Sequence, residues 1–203
     1  MTHAPLPAMI LAGGRATRMG GGDKPLVLLA GRPILAHLLD RLRPQVGRLA
    51  LNANGDPGRW AGWALPVVGD SLPDHPGPLA GVLAAMDWAA AQGAAHVLTV
   101  AGDSPFPPAD LAARLWAARG ASGLALAASH DRHGTPRDHP TFGLWPVALR
   151  GDLAATLAAG QRRVRDFTAR HHPGIAVWQG PDPFANINTP ADLALAEARL
   201  AAL

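Results

Sequence analysis

Leu11-Ala-Gly-Gly-Arg-Ala-Thr-Arg-Met-Gly-Gly-Gly-Asp-Lys-Pro25 is the stretch on which the reading of this chain turns. It continues the apolar run Ala8 to Ala12, which reads as a buried strand ending at the glycines. The segment holds Lys24, the single lysine of the 203 residues; the other seventeen cationic side chains are arginines. A compact ammonium on a flexible stem reaches a crowded phosphate as a point charge, which a planar guanidinium does less well. Five glycines and two arginines beside that lysine are the ingredients of a phosphate cradle.

Working outward, short apolar runs alternate with Ala/Leu-rich helical stretches. Ile34 to Val46 reads as a helix with Leu35, Leu38, Leu39 and Leu42 on one stripe. Strands are expected over Arg48 to Ala53 and Leu65 to Gly69, then a helix over Pro78 to Gln92. Ala95 to Ala101 reads as a central strand running into Gly102-Asp103, followed by a helix over Pro108 to Arg119 and a strand over Gly123 to Ala128. Thr141 to Val147 and Ile175 to Gln179 read as strands, and Asp152 to Ala159 and Arg163 to Arg170 as helices. The last helix starts plainly, with Thr189 as N-cap, Pro190 at the first position and Asp192 at the third. No linker, repeat or low-complexity tract divides residues 1–203, so a single α/β domain with a mostly parallel sheet and helices on both faces is expected. Ligands of such sheets bind at the carboxyl ends of the strands. The Gly-rich loop, Asn52, Asp70 and Asp103 all follow strands.

Composition narrows the class. Hydrophobic residues make up 48% and charged residues 16%, a globular balance. No apolar stretch approaches the roughly 18 residues of a bilayer span, and no secretory leader is visible, so a cytoplasmic, membrane-free protein is expected. Zero cysteines exclude disulfides, thiolate metal sites and a cysteine nucleophile. The pI near 10.9 comes with a net charge of only +3, too little for a nucleic-acid tracker. Small anionic ligands fit better. The dense basic cluster Arg162-Arg163-Val-Arg165 could serve them or form a solvated helix face. His130 and His133 share a metal-like spacing that reads as a polar surface turn, and the six tryptophans read as core or pocket-edge residues.

Three Gly-rich designs compete for residues 11–25. A P-loop needs Gly-Lys followed by Ser or Thr, whereas Lys24 follows Asp23 and precedes Pro25. A dinucleotide fingerprint opens directly into a helix, which Pro25 interrupts. The third design, Leu-Ala-Gly-Gly-x-x-x-Arg-Met-Gly-x-x-Asp-Lys, resembles the signature of nucleotidyltransferases that activate small metabolites with a nucleoside triphosphate. Within that class the Gly-Gly-Asp-Lys ending is similar to the molybdenum cofactor guanylyltransferases. Leu28-Leu-Ala-Gly-Arg-Pro-Ile34, Asn52-Ala-Asn54, Gly69-Asp70-Ser71, Pro76-Gly-Pro-Leu-Ala-Gly81, Gly102-Asp103-Ser-Pro-Phe106, Asp138-His-Pro-Thr141 and Asn186-Ile-Asn-Thr-Pro-Ala-Asp192 resemble further blocks of that family in order. Two departures are Gly69, where the family has an acidic residue, and Ala101-Gly102 where it has Pro-Cys.

The resemblance implies a Rossmann-like α/β/α nucleotidyltransferase fold and transfer of GMP from GTP to the terminal phosphate of molybdopterin, with pyrophosphate released. Leu11, Ala12, Gly13 and Gly14 would let the backbone approach the nucleotide, and Arg18 and Lys24 would neutralise phosphate charge. Asp103 would hold Mg²⁺, with Mn²⁺ as the alternative ion. Asn52 and Asp70 would read the nucleotide, with Gly81 closing the base pocket. His139, Arg162, Arg163, Asn186 and Asn188 are the candidates for holding the pterin or its phosphate. Asn186 and Asn188 alternate with Ile187, which in an extended segment points both the same way. A monomer is expected, in transient contact with cofactor-insertion proteins or molybdoenzymes. The rivals are a relative that uses CTP or another acceptor phosphate, and a noncatalytic nucleotide-binding module.

Overall fold

The computed structural model describes residues 6–13, 21–72, 77–130 and 134–202. Seven strands form one sheet: β1 (Pro7–Leu11), β4 (Arg48–Asn52), β5 (Val67–Val68), β6 (His96–Ala101), β7 (Ala125–His130), β8 (Pro136–Pro146) and β9 (Gly174–Trp178). Their order is β5-β4-β1-β6-β8-β7-β9. All neighbours are parallel except β8, which runs antiparallel to both β6 and β7. A small antiparallel hairpin of β2 (Leu28–Leu29) and β3 (Arg32–Pro33) stands apart.

Alternation along the strands builds two cores. Ala8 and Ile10 of β1, Leu51 of β4 and Leu98 and Val100 of β6 face helices α1 (Ile34–Leu42) and α3 (Leu111–Ala118). Met9, Ala50 and Val97, one residue out of phase, face α2 (Pro78–Ala91), α4 (Arg150–Ala158) and α5 (Val164–Arg170). Each fully buried Leu, Ile or Met in these layers contributes about 1.5–3 kcal/mol. The three-layer arrangement expected from the sequence is therefore present. A third cluster packs α6 (Pro190–Ala201) against the hairpin through Leu29, Ile34, Phe106, Ile187 and Ala196.

The departures from the sequence reading have local causes. Helix α1 stops at Leu42 and tightens into a 3₁₀ turn, Arg43–Gln45, because Pro44 has no amide hydrogen to continue the helix. Helix α3 starts at Leu111, after Pro105, Pro107 and Pro108 have carried the chain out of β6. The strand expected from Leu65 to Gly69 shrinks to two residues, since Ala64 is left-handed (φ 51°) and Pro66 cannot donate to a ladder. Strand β8 is longer than expected and runs from Pro136, with a register shift opposite Leu126 and Ala127 that absorbs Pro140.

Candidate active site

The sheet reverses winding direction at its middle. β4 lies on one side of β1 and β6 on the other, so the connections leave in opposite directions and open a crevice at the carboxyl ends. A cavity of about 440 Å³ occupies it. Leu11, Gly13, Lys24, Asn52, Asp70, Asp103 and Asn186 all line it, as do Pro78 and Gly81 from the start of α2 and Thr141 from β8. Ala12 lies just behind, fully buried, its amide donating to the Asn52 carbonyl at 2.8 Å. Gly14 and Arg18 fall outside the described residues, as do Asp131 and His133.

One end of the cavity is cationic and acidic at once. Lys24 opens a single 3₁₀ turn, Lys24–Leu26, and its ammonium donates to Asp103 Oδ2 at 3.2 Å. Both side chains are less than a fifth exposed. The same ammonium donates to the Asn188 amide oxygen. Gly102 lets β6 deliver Asp103 here: a Cβ at that position would lie 2.9 Å from the Leu11 carbonyl oxygen and 2.9 Å from the Pro25 ring. Asp103 does not cap the next helix, whose N-cap is Asp110.

The other end is a carboxylate held by amides. Asn52 Nδ2 donates to Asp70 Oδ1 at 2.9 Å and Asn54 Nδ2 donates to Asp70 Oδ2 at 2.8 Å. The Asp70 amide in turn donates to Asn54 Oδ1 at 2.9 Å. Asp70 is thus fixed in orientation while each oxygen keeps a lone pair for a ligand. Gly81 sits directly against this network, since a Cβ there would come within 2.4 Å of Asn52 Oδ1.

The pterin candidates divide. Asn186 lines the cavity and accepts from Ser104 Oγ at 2.8 Å, and Asn188 reaches Lys24, with Ile187 between them buried in the third core. The alternation read from sequence therefore brings both asparagines to one neighbourhood. His139 is instead 7% exposed, hydrogen-bonded to Ser129 Oγ at 2.7 Å and packed on Phe184, and is not among the lining residues. Burial, partly opposed by Asp182, lowers its pKa below the usual imidazole value. Arg162 and Arg163 are exposed just ahead of α5, also off the lining. His130 ends β7 with Nδ1 buried and without a hydrogen-bond partner among the described residues.

Asn54 and Thr141 also line the cavity, and sequence reasoning gives neither of them a role. For Asn54 the signal is the i, i+2 spacing in Asn52-Ala-Asn54, which strand alternation would place on one side, and both amides do donate to Asp70.

The family model for the MobA-like NTP transferase domain matches residues 8–174. A molybdenum cofactor guanylyltransferase from Rhodopseudomonas palustris (strain BisB5) is 51% identical over 202 residues, covering 96% of this chain and 94% of that protein. One from Cereibacter sphaeroides is 51% identical over 193 residues, covering 95% of each. Among solved structures, molybdopterin-guanine dinucleotide biosynthesis protein A from Archaeoglobus fulgidus superposes with a TM-score of 0.72 at 19% identity, over 98% of this chain and 100% of that one. The 4-diphosphocytidyl-2C-methyl-D-erythritol synthase of Anaerococcus prevotii gives 0.70 at 16%, over 98% and 99%. These two likenesses concern the fold, which by itself does not fix a function. The sequence relatives are the narrower match, and the chain belongs to the MobA-like NTP transferase family, among its molybdenum cofactor guanylyltransferases.

Proposed function

We propose that this chain transfers GMP from GTP to the terminal phosphate of molybdopterin, giving molybdopterin guanine dinucleotide and pyrophosphate. The observation that carries the reading is the cavity's division of labour, with the Asp70 carboxylate at one end and the Lys24–Asp103 pair at the other. Guanine offers two adjacent donors, N1–H and the N2 amino group, to a carboxylate. Cytosine offers an amino group beside an acceptor nitrogen, which would face a carboxylate lone pair. Asp70, oriented by Asn52 and Asn54, therefore favours guanine.

The acceptor phosphate oxygen is already ionised near neutral pH and needs no general base. It forms a new bond to the α-phosphorus as the bond from that phosphorus to the β-phosphate oxygen breaks. Lys24 counters the charge that builds on the departing pyrophosphate, and the backbone around Gly13 lets the phosphates come close. Catalysis is positioning plus charge neutralisation.

Magnesium fits the donor set. The ion takes oxygen ligands and is satisfied by one or two carboxylates with substrate phosphates and waters. Asp103, bordering the cavity, is the residue that would hold it, and when bound it would neutralise phosphate charge. Manganese would serve the same donors. The described residues bring no three His, Asp or Glu side chains together as a metal site, so an ion at Asp103 would complete its shell with the triphosphate. The reading includes a monomer working in the cytoplasm and passing its product to molybdoenzymes or their insertion proteins. No helix among the described residues is long and apolar enough to cross a membrane.

The test is pyrophosphate release from purified protein, molybdopterin and each nucleoside triphosphate in turn, with and without Mg²⁺. Turnover with GTP that needs the metal, and its loss in Asp103→Ala, is expected. Turnover with CTP alone would replace guanylyl by cytidylyl transfer, and tight GTP binding without turnover would leave a noncatalytic module.

A further inference from the structure

Asp23 immediately precedes Lys24, so a carboxylate stands beside the ammonium that must meet a polyanion. Its side chain is 17% exposed, too sheltered for water alone to screen it well. The partner comes from elsewhere: Arg59 Nε lies 3.0 Å from Asp23 Oδ2. The guanidinium's Nη2 also donates to the Asn54 backbone carbonyl at 2.5 Å. Asn54 is one of the two amides that orient Asp70.

Arg59 is itself well anchored. It sits on the 3₁₀ segment Pro57–Trp63, whose Gly58 amide donates to Asp56 Oδ1 at 2.8 Å and whose Trp60 is buried in the core beside α1. The Arg59 guanidinium lies 5.6 Å from the Trp60 ring centre. Gly55 leaves it space, since a Cβ there would sit 3.3 Å from Nη1. A planar fork is required for the two partners lie in different directions, one a side chain and one a main-chain oxygen.

We propose that Arg59 is a positioning residue that joins the base-reading loop, residues 52–54, to the turn bearing Lys24, and that it cancels the Asp23 charge beside the triphosphate. The inference rests on the reading of this cavity as a GTP site. A connected path then runs from Asp70 through Asn54, Arg59 and Asp23 to Lys24, so that the loop reading the base and the lysine serving the phosphates are held in one register. Arg59 lies off the cavity lining and acts through Asp23 and Asn54.

The experiment combines two readouts on Arg59→Met, Asp23→Asn and the double variant. Hydrogen exchange of ligand-free protein is followed over residues 21–27, where the amides of Leu26 and Val27 bond back to Asp23 and Lys24. Each single variant should exchange there about tenfold faster while β1 and α2 keep wild-type protection, a local effect that general destabilisation would not produce. With GTP and molybdopterin, kcat should fall about tenfold to a hundredfold in each single variant, with the double variant no worse than either. Arg59→Lys should not restore it, because one ammonium cannot hold both partners. Unchanged exchange in residues 21–27 overturns the proposal, as do losses that add in the double variant. If wild-type protein has no turnover with GTP, the functional reading fails and the exchange arm alone still decides the role of Arg59 in holding the turn.

Discussion

Asn188 accepts a hydrogen bond from the Lys24 ammonium across 164 residues of sequence, so the last quarter of the chain helps to aim the lysine of the first. Asn188 is in turn tied down by its own backbone, whose amide donates to Asp192 Oδ2 at 3.0 Å at the start of α6. Replacing it with leucine keeps the number and branching of the side-chain heavy atoms and removes the acceptor. A bond to a charged donor is worth about 1.5–3 kcal/mol, so kcat/KM for GTP should fall about tenfold or more in Asn188→Leu. Asn188→Asp adds a second carboxylate next to Lys24 and should raise the KM for GTP above that of the leucine variant. Steady-state pyrophosphate release measures both, and wild-type kinetics in Asn188→Leu would show that Asp103 alone aims the lysine.

Gly81→Ala sets two effects against each other. Alanine in a helix interior gains about 1 kcal/mol over glycine. The new Cβ, however, would come within 2.4 Å of Asn52 Oδ1 and 3.0 Å of Leu11 Cδ2, and overpacking of that kind costs about 1–3 kcal/mol. Asn52 is the movable partner, so the clash should be relieved by turning its amide away from Asp70. The melting temperature should change little while GTP binds about tenfold more weakly by calorimetry. Unaltered affinity would mean that Asn52 does not orient Asp70 for the base.

Most of the frame could be read from residues alone, for a reason seen in particular elements. Ala8 to Ala12 and Ala95 to Ala101 are short apolar runs ended by glycine, and each became a central strand with its polar group at the carboxyl end. Thr189, Pro190 and Asp192 announced α6, and the reciprocal cap is present. What stayed hidden is pairing across distance. Nothing local to Asp23 points to Arg59, and nothing local to Lys24 points to Asn188, because each pair meets only after the sheet has assembled. β8 is half concealed because Pro136, Asp138 and Pro140 argue against a strand; Pro136 stands at its first position, and the register shift opposite Leu126 and Ala127 absorbs Pro140.

His139 gives the fold a pH response. Its burial favours the neutral ring, so its folded pKa lies below the ordinary value of about 6.5. The unfolded chain then binds the proton more readily than the folded one. Stability from this group is complete above about pH 6.5 and is lost as pH falls from there through the folded value. Urea midpoints should drop between about pH 7 and 5 in wild-type protein and drop less in His139→Gln. Some slope should persist, since burial also lowers His96. An unchanged slope in His139→Gln would remove this histidine from the response.

The cap of α6 should respond further into acid. The Asn188 amide, followed by other contacts that include the Thr189 hydroxyl and amide, lowers the Asp192 pKa. Its stabilisation is therefore present above about pH 4 and lost as pH falls through the lowered value. Thr189→Ala removes the other half of the capping box and should cost about 1 kcal/mol in chemical denaturation near neutral pH. Because the same cap fixes Asn188, that variant should also lose several-fold in kcat with GTP. Lost stability with wild-type kcat would separate the helix from the aim of Lys24.

Lys24→Arg asks whether position or charge matters at the phosphate end. The lysine is the smaller group, 18% exposed and already wedged between Asp103 and Asn188. A guanidinium keeps the charge, yet its plane cannot take the same place without displacing one of those partners. GTP should still bind within a few-fold of wild type in Lys24→Arg, because long-range attraction survives. Turnover should fall about a hundredfold, since a cation displaced by about 1 Å no longer follows the charge developing on the pyrophosphate. Lys24→Met should lose binding as well as turnover. Equal losses of binding in both variants would mean that the site needs the ammonium to hold the nucleotide, and near-normal turnover in Lys24→Arg would mean that any cation suffices there.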